Sequence, residues 1–221
     1  MQWLEALKIQ KGMTCIIGSG GKTTLLSVLA RECHSLGMHV VLTTSTHIYP
    51  FAGMHCYDGS DMESIREALS RDGTVCVGMP AENGKLKSPA CSFSTLCGLA
   101  DMVLVEADGS KGLPVKAHAG HEPVIPEGCG RIILVTGAQA AGKRVKDAVH
   151  RPEIYTALTG QGVEDIISPS AVAKAISREK LCDMVLVNHC ETEEEIAYAR
   201  ELMRYLALPA LAGTLREDRI L

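Results

Sequence analysis

The chain has no surplus of basic residues: 22 Lys and Arg stand against 26 Asp and Glu, a formal net charge of −4 over 221 residues. Nucleic-acid binding usually draws on a basic excess, so that class of partner is set aside. No apolar run approaches the ~18 residues that a membrane span needs. The opening segment MQWLEALKIQKGM alternates apolar and charged residues and lacks the unbroken apolar centre of a secretion signal. A cytoplasmic protein with no membrane partner is expected. Nine cysteines are present, but their number is odd and no two form a CxxC pair, which predicts reduced thiols packed as small apolar residues. HAGHE at 118–122 carries two histidines in neither the order nor the spacing of a zinc helix, so no zinc is expected. Internal repeats, low-complexity tracts and long linkers are also missing. With 46% hydrophobic and 22% charged residues, one domain covering 1–221 is expected.

What the chain does contain is a series of short Val, Ile and Leu runs with helical segments between them, the pattern of a mostly parallel sheet covered on both faces. Strands are predicted at 13–17, 39–44, 74–78, 102–107, 131–137 and 184–189, with a shorter one at 209–213. Helices are predicted at 22–36, at 61–71 behind an Asp58 or Ser60 cap, at 169–180 and at 192–206. The last opens on ETEEE, whose acids offset the helix dipole. Together these imply a three-layer α/β/α domain of the P-loop NTPase type with a mostly parallel central sheet. The longest irregular stretch, 107–130, is polar and is read as the substrate side.

CIIGSGGKTTLLSVLA, residues 15–30, runs from a strand through a glycine-rich turn into a helix. Consecutive N–H groups from Ser19 to Thr24 at the positive end of that helix would form a concave anion site, with Gly18, Gly20 and Gly21 admitting phosphate close to the backbone. Lys22 would reach the outer phosphates, Thr23 would place its hydroxyl on Mg2+, and Thr24 would face the inner phosphate. The pattern GxxxxGK[ST] is not met, because Ile16 stands where its first glycine belongs. The remaining GxxGKTT resembles the ATP loop of the Mur ligases. The alternative is a glycine turn that only joins strand to helix.

A phosphate loop of this kind works with a carboxylate at a neighbouring strand end, and MVLVEADG at 102–109 supplies Glu106 and Asp108. Asp108 would hold Mg2+ through water while Glu106 orients the attacking group, or the two roles are exchanged. TTSTHIYP at 43–50 offers Thr44 and Thr46 to the metal and γ-phosphate side, followed by His47; strand propensity alone would also explain the threonines. HRPE at 150–153 puts His150 and Arg151 before a helix-opening Pro152. Arg151 would serve as an arginine supplied in cis, or as a surface partner of Glu153. After the strand at 184–189, Asn188 and Glu191 occupy the register in which GTPases carry NKxD, so they are read as base contacts. His189 stands in the lysine position, and the nucleotide stays open between ATP and GTP.

Taken in order, GSGGKTT, TTSTHIYP, VEADGSKGLPVKAHAGHEPVIP and HRPE resemble the selenium-dependent hydroxylase accessory proteins, the YqeC-like selenium cofactor biosynthesis family, over almost the whole length. That family is similar to P-loop NTPases and is implicated in maturing molybdenum hydroxylases that need labile selenium. The resemblance implies that Lys111, Lys116, His121 and Glu122, with His47 and His150 nearby in the motifs, recognise a molybdenum or selenium cofactor intermediate or a client molybdenum hydroxylase. Where the family has a proline after KA, this chain has His118. The resulting expectation is an Mg-dependent, NTP-hydrolysing accessory protein. The alternatives are a nucleotide-gated binding module that scarcely turns over, and an ATP-dependent small-molecule kinase or ligase.

Overall fold

The structure, a computed structural model, describes residues 2–221. Its central sheet has nine strands: β1 (Gly12–Gly18), β2 (Val40–Thr44), β3 (Cys56–Tyr57), β4 (Thr74–Val77), β5 (Met102–Glu106), β6 (Arg131–Gly137), β7 (Met184–Asn188), β8 (Ala210–Thr214) and β9 (Arg219–Ile220). They lie in the order β9-β8-β7-β6-β1-β5-β2-β4-β3. The pairs β1–β5, β5–β2, β2–β4, β4–β3, β6–β7 and β7–β8 are parallel, and β9 turns back antiparallel on β8. Every residue of β2, β5 and β7 is buried, as strands covered on both faces require, and this is why they read as unbroken apolar runs. The helices are α1 (Gln2–Ala6), α2 (Lys22–Ser35), α3 (Met62–Asp72), α4 (Phe93–Leu99), α5 (Val145–Ala148), α6 (Pro152–Thr159), α7 (Pro169–Glu179) and α8 (Glu193–Tyr205). The architecture is a three-layer α/β arrangement with a mostly parallel sheet.

Contacts divide the chain into two compact units. One comprises the described residues up to Ile16 with Leu25–Gly109 and Val124–Arg131; the other comprises Ile17–Thr24, Ser110–Pro123 and Ile132–Leu221. In the first, the Glu32 carboxylate accepts from the backbone N–H groups of Gln2, Trp3 and Leu4 at 3.1, 2.9 and 2.9 Å, capping α1 and seating the fully buried Trp3. The N-terminal segment is thus an amphipathic helix packed on the core. Among the described residues no helix is long and apolar enough to cross a membrane.

One predicted cap is corrected. The N-cap of α3 is Asp61, whose extended backbone precedes the helix and whose carboxylate accepts from the Glu63 and Ser64 N–H groups at 3.0 and 3.2 Å. Asp58 lies too far upstream to reach the first turn and instead accepts from the Ser60 N–H at 2.8 Å. Two small sheets were not legible in the apolar pattern, because their strands are two residues long. In the first unit His47–Ile48 and Met79–Pro80 flank Leu86–Lys87; in the second Val115–Lys116 pairs in parallel with Val149–His150.

In the second unit, α8 confirms the acidic-start reading and adds a capping box. Thr192 accepts from the Glu195 N–H at 3.2 Å while the Glu195 carboxylate accepts from the Thr192 N–H at 2.9 Å. Thr192→Ala is expected to cost about 1 kcal/mol and to lower the melting temperature by about 2–4 °C. An unchanged thermal melt would contradict the capping role. None of the nine cysteines is joined in a disulfide, and burial pushes Cys33 and Cys190 up to about 11, so both stay protonated near neutrality.

Candidate functional site

The second unit contains the complete glycine loop. Gly18 ends β1 at φ +92°, and a Cβ there would stand 2.3 Å from the Val135 carbonyl oxygen. Gly20 and Gly21 follow at φ +90° and +130°, and a Cβ on Gly20 would meet the Gly137 nitrogen at 2.8 Å. The loop therefore needs glycine for its backbone conformation and for the close approach of β6. Ser19 is pinned on both sides. Its N–H donates to the Val135 carbonyl at 2.8 Å and its hydroxyl donates to the Leu113 carbonyl.

Asn188, at the end of β7, braces the same loop. Its amide Nδ2 donates to the Gly20 carbonyl at 2.8 Å and its Oδ1 accepts from the Leu215 N–H at 3.0 Å. Both ends of the side chain thus hold backbone, one at the loop and one beyond β8. Lys22 opens α2, is 4% exposed, and folds back so that Nζ donates to the Gly18 carbonyl at 2.8 Å and to the Ser110 hydroxyl at 3.0 Å. An ammonium bent over a glycine loop at a helix N-terminus can meet an oxyanion. Thr23 and Thr24 follow it on exposed positions of the first turn.

Also in the second unit, a buried charged cluster forms around Glu122. Lys116, its side chain fully buried, reaches the Glu122 carboxylate at 2.8 Å, and the Arg151 guanidinium donates to the same oxygen. Burial alone would raise the Glu122 carboxyl, but the hydrogen bonds and charges of Arg151 and Lys116 outweigh it and hold the group down at about 2. Arg151 has left-handed backbone (φ 68°) at the N-cap of α6, and its carboxylate partner is Glu122, not the Glu153 expected of a surface pair. His150 lies in the same field; burial first and Lys116 and Arg151 next push its pKa down, keeping it neutral. His118 donates its backbone N–H to Glu179 of α7 at 2.7 Å, and its ring Nδ1 lies 2.8 Å from the other carboxylate oxygen. Lys111 and His121 stand exposed. Three residues expected on the substrate side, Lys116, Glu122 and His150, are thus brought together with Arg151, the arginine expected to act in cis.

Near the base-reading register, His189 Nδ1 lies 3.4 Å from a Glu191 carboxylate oxygen, while the Glu191 N–H donates to Glu195 as part of the α8 cap. Glu191 itself is exposed.

The first unit carries the acids. Glu106 is the last residue of β5 and is 7% exposed, and Asp108 just beyond it is fully buried. Thr44, at the end of β2, donates its hydroxyl to the Glu106 carbonyl at 2.8 Å and accepts from the Thr46 N–H at 3.0 Å. Thr44 thereby ties two strand ends together, and Thr46 is the half-buried hydroxyl of the pair. His47, one residue on, is exposed and belongs to the small three-stranded sheet.

Two residues of the second unit escaped sequence reasoning. Ser110, the hydroxyl partner of Lys22, sits two residues past Asp108 in ADGSKG and was open to detection there. Gln139, just beyond β6, buries its Oε1 without a hydrogen-bond partner, and no periodicity marks it.

YqeC of Escherichia coli (strain K12) is 32% identical over 154 residues, covering 66% of this chain and 59% of that protein, so the match spans less than two thirds of the relative. Among solved structures, the 54 kDa signal recognition particle protein of Aeropyrum pernix K1 in complex with GDP has a TM-score of 0.49 at 14% identity, covering 96% of this chain and 44% of that one. Hydrogenase maturation factor HypB of Archaeoglobus fulgidus has a TM-score of 0.44 at 11% identity, covering 97% and 87%. The family model described as YqeC protein matches residues 14–153, which hold the glycine loop, the strand-end acids and the Glu122 cluster, and the chain belongs to that family.

Proposed function

We propose that this protein is an Mg-dependent nucleotide-binding and NTP-hydrolysing accessory protein acting in the maturation of selenium-dependent molybdenum hydroxylases. The observation that carries the nucleotide part is Lys22, buried and bent over a loop whose three glycines leave no room for side chains. Phosphate oxygens are stronger acceptors than the Gly18 carbonyl or the Ser110 hydroxyl, so a bound phosphate would draw the ammonium outward. Asn188 and Ser19 keep the loop backbone in place during that exchange. In this reading Asn188 supports the nucleotide through Gly20, and Glu191 is the base-side acceptor for ATP or GTP.

Mg2+ suits the donors assigned to it, because Asp108, Thr23 and Thr46 offer oxygen only, and Mg2+ takes one or two carboxylates together with substrate phosphates. When bound it would neutralise charge on the β- and γ-phosphates. Glu106 would orient the attacking group. Arg151 would serve as the arginine supplied in cis, while Lys116, Glu122 and His150, with exposed Lys111, His121 and His47, would face the cofactor intermediate or client. Family membership supports this accessory role, and the hydrolysed nucleotide would drive it.

The test is a calorimetric titration of ATP, GTP and CTP, with and without Mg2+, on the parent and on Asp108→Ala. One nucleotide is expected to bind the parent in an Mg-dependent manner, and about tenfold more weakly when Asp108 is lost. If all three fail to bind the folded parent, or if Mg2+ and Asp108 make no difference, the reading falls.

A further inference from the structure

A second concave site lies wholly in the first unit, on the three-stranded sheet. It is a cavity of about 640 Å³ whose wall includes His47, Glu82, Asn83, Lys85 and Lys87. Small-molecule sites typically have volumes of about 300–1,000 Å³ with a few convergent polar groups, and this cavity is within that range.

The backbone explains why these side chains converge. Leu86–Lys87 is the middle strand, antiparallel to both neighbours, and Lys87 is the register partner of His47 on one side and of Met79 on the other. Direct cross-strand partners share a face, so the His47 imidazole and the Lys87 ammonium stand on the same side of the sheet. Ile48 and Leu86, partners of one another in the next register, are buried and anchor the sheet through their own face. The connection 82–84 is a tight turn in which Asn83 and Gly84 are left-handed at φ 57° and 68°. It is closed by the Ala81 N–H donating to the Lys85 carbonyl at 2.8 Å. The Lys85 ammonium is steadied by the Tyr49 ring at 5.1 Å from its centroid, a cation–π contact with an otherwise exposed aromatic.

The charges in the wall are two ammonium groups and one carboxylate, Glu82, with the His47 ring and the Asn83 amide as further donors. Donors and positive charge dominate. The first strand of this sheet follows β2 closely in the chain, within the same unit. His47 follows Thr46, whose N–H is held by Thr44, and Thr44 in turn is bonded to the Glu106 carbonyl.

We infer that this cavity is a binding site for a small molecule carrying two or more oxyanion charges, phosphoryl or carboxylate, separate from the glycine loop. Lys85 and Lys87 supply the charge, and His47 and Asn83 the directed hydrogen bonds. Anion binding here does not depend on the nucleotide function proposed above.

The experiment follows backbone amide shifts of the full ¹⁵N-labelled chain during separate titrations with glycerol 3-phosphate and with citrate. Saturable shifts are expected at Asn83, Gly84 and Lys87 with at least one probe, and which probe acts identifies the oxyanion as phosphoryl or carboxylate. In the Lys85→Gln, Lys87→Gln double variant the apparent Kd should rise about tenfold or more, and in Glu82→Gln it should fall about threefold. All three side chains lie at the surface or half-buried, so the variants are expected to fold. The inference is overturned if neither probe shifts 81–87, or if the shifts persist at the same Kd in the double variant. A parallel titration with Mg-ATP and Mg-GTP, read at Gly20–Thr24, separates the two ideas. Silence there with saturable shifts at 81–87 overturns the nucleotide reading alone.

Discussion

Lys22→Ala is expected to weaken Mg-nucleotide binding by about a hundredfold, equivalent to about 2.7 kcal/mol, a charge-assisted contact to the outer phosphates. The reasoning is local. Lys22 is 4% exposed, and its amine is held by the Gly18 carbonyl and the Ser110 hydroxyl, so it is already positioned over the loop before any ligand arrives. A positioned ammonium loses little side-chain entropy when phosphate binds, which makes its contribution larger than that of a solvated lysine. The substitution also removes the buried stem, so Lys22→Met, which keeps much of that stem while losing the same charge and the same two hydrogen bonds, separates charge from packing. Both variants should lose affinity while Lys22→Met melts close to the parent. A Lys22→Ala protein that binds Mg-nucleotide as tightly as the parent would sink the nucleotide reading.

The largest effect on stability is expected at Glu122. Its carboxylate is shared by a fully buried Lys116 side chain and by Arg151, and Glu122→Gln replaces that charge with a neutral amide of nearly the same shape. Removing one partner of a buried ion pair costs about 3–5 kcal/mol, because the remaining charge loses its compensation. For a chain of this size the melting temperature should fall on the order of 10 °C. The pH dependence follows from the sign of the shift. The folded carboxyl is depressed from 4.5 to about 2, so its contribution is fully present above pH 4.5 and disappears as pH falls from 4.5 through 2. The gap between parent and variant should be widest near neutrality and should narrow across that window. Chemical denaturation at several pH values measures this, and a gap that stays constant down to pH 2.5 would show that the pair contributes nothing through ionisation.

Much of the fold was legible because most of its strands are buried on both faces. MVLVE, VVLTT and RIILVTG can satisfy their backbone only in a sheet and their side chains only in a core, so composition alone marks them, with boundaries within a residue or two. The two-residue strands left no such mark, since a segment like Val115–Lys116 has too few residues to show a period. The α3 cap was displaced because Asp58, Ser60 and Asp61 are all good capping residues, and only backbone geometry selects the one whose carboxylate reaches Glu63 and Ser64. In the candidate site, Lys22, Ser19 and the glycines were readable because the loop is local in sequence. Asn188 drew attention by its register after a strand, but its bonds to Gly20 and Leu215 join segments 168 and 27 residues away, which no local pattern can express.

By itself the amino-acid sequence determined the α/β class, the glycine loop and the identity of the charged residues, because each depends on short-range rules of burial, backbone freedom and charge. Only the tertiary structure decided which charges meet. It bound Lys116 and Arg151 to Glu122, set His118 against Glu179, turned Asn188 into a brace for the loop, and drew His47 beside Lys87 at the wall of a cavity. Electrostatic and hydrogen-bond energies depend on distance and solvent exclusion in three dimensions, and sequence separation carries neither.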